Sequence, residues 1–125
     1  MTMFKCMALL RKRADISKEQ FIAYYENNHS VLIRKLLPGI IDYRSNFIDM
    51  DGAFLFPDAS PIDFDVITEI WLEDRAAYDR FIAASSDPDI ARQIAEDEEH
   101  LFERGASRMV VVEERQWTKP AGRSQ

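Results

Sequence analysis

The stretch MFKCMALLRKRADISKEQFIAYYENNHSVLIRKLLPG, Met3 to Gly39, carries the plan of the whole chain. It opens on an apolar run, Met3 to Leu10. Phe4, Cys6, Ala8 and Leu10 fall on one parity of that run, and Met3, Met7 and Leu9 on the other. Successive side chains of a strand point to opposite faces, so a strand here needs cover on both. Ser17, followed three residues later by Gln20, has the spacing of a capping box that opens a helix. That helix places Phe21, Tyr25, Leu32 and Leu36 on one stripe at helical spacing. Leu37-Pro38-Gly39 stops it.

The rest of the chain repeats the plan. Ile40 to Met50 reads as a second strand, and Asp51-Gly52 through Pro61 as a turn-rich loop. Phe54, Leu55 and Phe56 in that loop are too apolar for free solvent. Phe64 to Leu72 reads as a third strand, again apolar at both parities. Glu73 and Asp74 open a helix, and Asp87-Pro88 opens another with Pro in its first turn. The latter carries Ile90, Ile94, Leu101 and Phe102, and Gly105 closes it. Arg108 to Trp117 is the last strand. Residues 1–117 form one domain, and 118–125 read as a disordered tail.

The order strand, helix, strand, strand, helix in two pieces, strand predicts an α+β, ferredoxin-like βαββαβ fold. Its four-stranded antiparallel sheet has helices on one face only. Met7, Leu9, Ile67, Trp71 and Val111, or their alternates, leave the other face in need of cover. A second copy of the sheet is the simplest cover, so a homodimer through the open sheet face is expected.

Composition narrows the partners. The chain has 125 residues, enough for one core without disulfides or metal. Its net charge is −6, which opposes binding to a phosphate backbone, so nucleic acid is not expected as a partner. Arg11, Lys12 and Arg13 form the only dense basic run. No segment approaches the ~20 apolar residues of a membrane span, and the N-terminus lacks the order of a secretory signal. A single cysteine, Cys6, excludes an internal disulfide and suits a reducing compartment, so the cytoplasm is expected.

The run Phe21-Ile22-Ala23-Tyr24-Tyr25-Glu26-Asn27-Asn28-His29, then Leu37-Pro38-Gly39 and Tyr43, resembles the signature of the EthD family. Asp97-Glu98-Glu99 followed by Leu101-Phe102 extends the likeness, which runs from about Phe4 to Glu114. Where the family often carries Trp, this chain has Tyr24 or Tyr25. The resemblance implies a dimeric α/β barrel, similar to polyketide cyclases, cofactor-free monooxygenases and lactone isomerases. It implies a small organic ligand and leaves the reaction open.

His29 is the leading candidate for chemistry. At 100° per residue it lies within about 40° of the centre of the Phe21 stripe, so it leans toward the sheet. A partly desolvated imidazole there is placed to pass protons. The bland alternative is a histidine at the core edge, bonded to a carbonyl or to Tyr43. Asp97 falls within about 20° of Ile90 on the inward face of its helix, where a carboxylate needs a partner. That partner is either His29, which Asp97 would orient, or Arg44, Arg108 or a tyrosine in a structural pair. Glu98, at the edge of the stripe, reads as solvated. Tyr24, Tyr25, Tyr43 and Trp71 are candidates to line a pocket and bind substrate, with Asn28 a further one; the alternative for the aromatics is plain core. There is no second histidine beside His29, no Gly-rich strand-to-helix turn and no Gly-x-Ser-x-Gly, so neither a metal site nor a cofactor is expected. The expected function is a cofactor-independent enzyme of lyase or isomerase type. It would act on a small aromatic or polyketide-like molecule by His29-mediated proton transfer, as a cyclase, dehydratase, decarboxylase or isomerase. The alternative is a non-catalytic accessory protein that binds a hydrophobic metabolite.

Overall fold

A computed structural model describes residues 3–122 of the protein. Four strands, β1 (Phe4–Leu10), β2 (Asp42–Phe47), β3 (Val66–Leu72) and β4 (Arg108–Val112), pair antiparallel in the order β2-β3-β1-β4. The helices are α1 (Lys18–Tyr24), α2 (Ser30–Leu36), α3 (Arg75–Ser85) and α4 (Pro88–Glu98). This is the expected α+β ferredoxin-like arrangement. No helix among the described residues is long and apolar enough to cross a membrane.

Local chemistry starts the helices where the sequence places them. The Gln20 N–H donates to Ser17 Oγ at 3.1 Å and the Ser17 N–H to Gln20 Oε1 at 2.9 Å, which completes the capping box. Asp74 accepts from the Ala77 N–H and Asp87 from the Ile90 N–H, capping α3 and α4.

The register decides the faces. Antiparallel partners share a face, so Cys6 and Ala8 stand with Ile70, Thr68, Val111 and Met109 on the helical side, where Met109 and Val111 on the edge strand remain exposed. Lys5, Met7 and Leu9 stand with Trp71, Glu69, Ile67, Val112 and Val110 on the open face. Val111 thus belongs to the helical side, and its neighbours Val110 and Val112 take the open side. The open face is also less apolar than expected. The Lys5 ammonium lies 2.7 Å from both Glu69 and Glu114 and 4.5 Å from the Trp71 ring centre, with Arg44 at 4.8 Å from that ring.

Several element boundaries depart from expectation, and β3 begins at Val66 instead of Phe64. β4 ends at Val112, short of Trp117, because Val112 pairs with Lys5 and β1 begins one residue earlier, at Phe4. α4 ends at Glu98, well before Gly105. Past it, the Arg13 N–H donates to the Leu101 carbonyl and the Glu103 N–H to the Arg11 carbonyl, so this segment pairs with the chain beyond β1. β2 spans less than Ile40 to Met50. Phe54 and Phe56 are 80% and 72% exposed, with their rings 5.3 Å apart. Residues 118–122 carry no regular secondary structure; 123–125, the end of the expected tail, lie outside the described residues.

Between α1 and α2 the helix is not regular. Tyr25–His29 is a π-turn, closed by the Ser30 N–H donating to the Tyr25 carbonyl. A π-turn holds more residues than an α-turn and so rotates the next stretch of helix about its axis. The inward residues become Phe21, Tyr25, His29, Ile33 and Leu37, all buried, while Leu32 and Leu36 are only half-buried. Two apolar clusters result. One joins Phe21 and Tyr25 to Ala8, Leu10, Val66, Leu101 and Phe102. The other joins Ile33 and Leu37 to Cys6, Ile70, Leu72, Ala77 and Phe81. His29 sits between them.

Candidate functional site

The π-turn aims His29 straight at the sheet, and α4 meets it there with Asp97. His29 Nδ1 and Asp97 Oδ2 are 2.6 Å apart, with both side chains under 10% exposed. An ionised carboxylate only accepts, so we assign the neutral imidazole its proton at Nδ1, leaving Nε2 as an acceptor. Arg44 and Arg108, the alternative partners for Asp97, instead hold Asp42 and Asp63.

Asp97 lies in the last turn of α4, where the helix dipole disfavours negative charge. The neighbouring Glu96, Glu98 and Glu99 worsen this. Arg92 meets Glu96 and Arg104 meets Glu98, each at 3.3 Å, and Arg13 donates to the Glu99 carbonyl. Among the described residues, the fully buried partner of the Asp97 carboxylate is His29.

His29 lines a cavity of about 80 Å³ at the seam between the two apolar clusters, with Tyr25, Tyr43, Thr68, Glu98 and Met109 among its walls. Tyr25 Oη lies 2.9 Å from Tyr43 Oη and also contacts Thr68 Oγ1. Burial, above all, raises the pKa of both tyrosines, so both hydroxyls remain protonated donors at neutral pH. Glu98, expected to be solvated, is a wall of this cavity. Burial, above all, pushes its carboxyl above the usual carboxylate range, against the opposing charge of Arg104 and that of His29 whenever the imidazole holds a second proton. Periodicity missed Glu98 because it is adjacent to the inward Asp97. Thr68 was missed because a small polar residue inside an apolar strand gives no pattern.

The remaining candidates lie elsewhere. Trp71 is on the open face, across the sheet from His29, because its register partner Lys5 points there. Asn28 is exposed on the outer side of the π-turn. Tyr24 is half-buried outside the cavity, against His100 with ring centres 5.5 Å apart. Burial first, then the charge of Asp97, raises its pKa. Cys6 is fully buried, and that burial raises its thiol pKa to about 11, so it is inert. Among the described residues no group of three or more His, Cys, Asp or Glu is arranged to hold a metal ion.

Solved structures of this shape are numerous but distant. An ethyl tert-butyl ether degradation (EthD) family protein from Bacillus halodurans superposes with a TM-score of 0.61 at 22% identity, covering 91% of this chain and 100% of its own. A monooxygenase from the ActVA-Orf6 gene of Streptomyces coelicolor, solved with nanaomycin D, gives 0.58 at 15% identity, covering 95% and 93%. A dimeric ferredoxin-like protein of unknown function from Thermobifida fusca gives 0.51 at 15%, covering 90% and 92%. Identities this low show the fold alone. No curated protein is significantly similar to the chain. The EthD domain, by contrast, matches residues 13–105, which include the π-turn, His29 and Asp97. The chain belongs to the EthD domain family.

Proposed function

We propose that the protein is a cofactor-independent enzyme that moves a proton on a small aromatic or polyketide-like molecule, with His29 as base and then acid. The observation that carries this is the His29–Asp97 pair, 2.6 Å apart and buried, beside a cavity lined by two protonated tyrosines. Nε2 takes a proton from carbon next to a carbonyl, and Asp97 stabilises the imidazolium that forms. A hydroxyl of the Tyr25–Tyr43 pair donates to the oxygen on which negative charge develops. His29 then returns the proton at another atom, as cyclisation, dehydration or isomerisation requires; in a decarboxylation the C–C bond breaks with loss of CO₂, and protonated His29 supplies the proton that replaces it on carbon. The cavity, at about 80 Å³, is far below the ~300 Å³ of sites that enclose a whole ligand, so it takes the reacting end only.

The decisive experiment follows exchange of the carbon-bound protons of aromatic 1,3-dicarbonyl compounds in D₂O by NMR. Acceleration by the protein that vanishes in His29→Gln supports the reading. Acceleration that survives the substitution removes His29 from the role.

The small cavity also favours a second reading, a non-catalytic binder of a hydrophobic metabolite. In that case His29→Gln leaves ligand affinity intact and no exchange is accelerated. Under either reading we infer a homodimer through the open sheet face, in line with the dimeric Thermobifida relative, and a cytoplasmic place of action suited to the single buried, unpaired Cys6.

A further inference from the structure

The His29 cavity has a larger neighbour. A surface groove of about 600 Å³ runs along α2 and the edge strand β2, lined by Ser30, Arg34, Lys35, Leu37, Tyr43 and Ser45 among others. Leu37 and Tyr43 also line the inner cavity, so one layer of side chains separates the two spaces.

The groove is cationic in a chain of net charge −6. Arg34 Nε donates to the Ser30 carbonyl at 3.0 Å, which steadies the guanidinium. Neither Arg34 nor Lys35 has a carboxylate partner among the described residues, whereas Arg13, Arg44, Arg92 and Arg108 each hold one. The carboxylate within the groove, Asp42, is already committed to Arg44 at 2.9 Å and to the Tyr43 N–H at 2.9 Å. The charge of Arg34 reaches Tyr43 as well, opposing the effect of burial on that phenol. A planar guanidinium with unclaimed donors, beside an ammonium, matches a carboxylate in shape and charge.

We propose that this groove is the recognition half of the site and binds the carboxylate of an organic acid, whose other end reaches past Tyr43 toward His29. The proposal rests on the proton-transfer reading for the reacting end only. The inner cavity is lined by the Glu98 carboxyl and by no arginine or lysine, so an anionic group is held outside and only the uncharged reacting carbon enters.

Both cations also sit in the last turn of α2, where they favour the helix dipole. A role limited to that leaves them indifferent to ligand. The test is a ¹⁵N NMR titration of the full chain with benzoate and its neutral isostere benzamide. Benzoate is expected to shift amides between Ser30 and Ser45, to bind more weakly as salt rises from about 50 to about 300 mM, and to lose about tenfold or more in affinity in Arg34→Gln/Lys35→Gln. Arg34→Lys, which keeps the charge and removes the fork, is expected to fall between. Equal binding of benzoate and benzamide, or unchanged benzoate affinity in the double glutamine variant, overturns the proposal. Benzoate binding that persists in His29→Gln, with no proton exchange on any substrate, keeps the groove and sinks the proton-transfer reading. Exchange without benzoate binding does the reverse.

Discussion

His29 Nδ1 and Asp97 Oδ2 meet at 2.6 Å although 68 residues separate them in the chain. The contact needs both a π-turn that swings the imidazole inward and a helix that places a carboxylate at its own unfavourable end. Each is a local cost that the pairing offsets.

Asp97→Ala leaves a buried Nδ1–H without an acceptor and is expected to destabilise the fold by about 1–3 kcal/mol in urea denaturation. Asp97→Asn costs less, because the amide can donate to Nδ1 and drive the ring to the other tautomer. Imidazole ¹⁵N shifts of His29 report this directly. An unchanged tautomer in both Asp97→Ala and Asp97→Asn means that Asp97 does not orient the ring.

Glu98 contributes a pH dependence of definite sign. Its folded pKa is raised, so ionising it costs more in the folded than in the unfolded protein. Below the ordinary carboxylate range it is protonated in both states and costs nothing. As pH rises through its unfolded and then its folded pKa, stability is lost. Glu98→Gln is therefore expected to gain Tm over the parent at pH 7 and not at pH 4. The same gap at both values contradicts the assignment.

The π-turn can be tested by shortening it. Deleting Asn28, an exposed residue of that turn, is expected to leave an ordinary α-turn and rotate the imidazole away from Asp97. Circular dichroism should show the helix retained, and the low-field Nδ1–H proton resonance should disappear. A deletion variant that keeps the resonance would show that the π-turn is not what aims His29.

Met7 stands on the open face opposite Glu69 and Val110. Placing a carboxylate there buries an uncompensated charge in any face-to-face dimer. Met7→Asp is expected to raise the dimer dissociation constant by at least about tenfold in analytical ultracentrifugation, without disturbing the helical side. Parent and variant with the same distribution of monomer and dimer would place the interface elsewhere.

Much of this protein is legible in its amino-acid order, because the information is local. Ser17 and Gln20 cap a helix with each other, Asp74 and Asp87 cap the next two with their own side chains, and the strand runs carry their apolar residues at both parities. Those signals suffice for the βαββαβ order and for placing His29 and Asp97 on inward faces. What only the tertiary structure decided depends on pairing across the chain. Leu32 and Leu36 gave way to Ile33 and Leu37 because a π-turn adds a residue that a 100° wheel cannot register. Trp71 left the site because the β1–β3 register sets it opposite Lys5, and parity alone does not say which face the helices cover. Glu98 joined the site because burial, which no single residue determines, turned a carboxylate at the stripe's edge into a cavity wall.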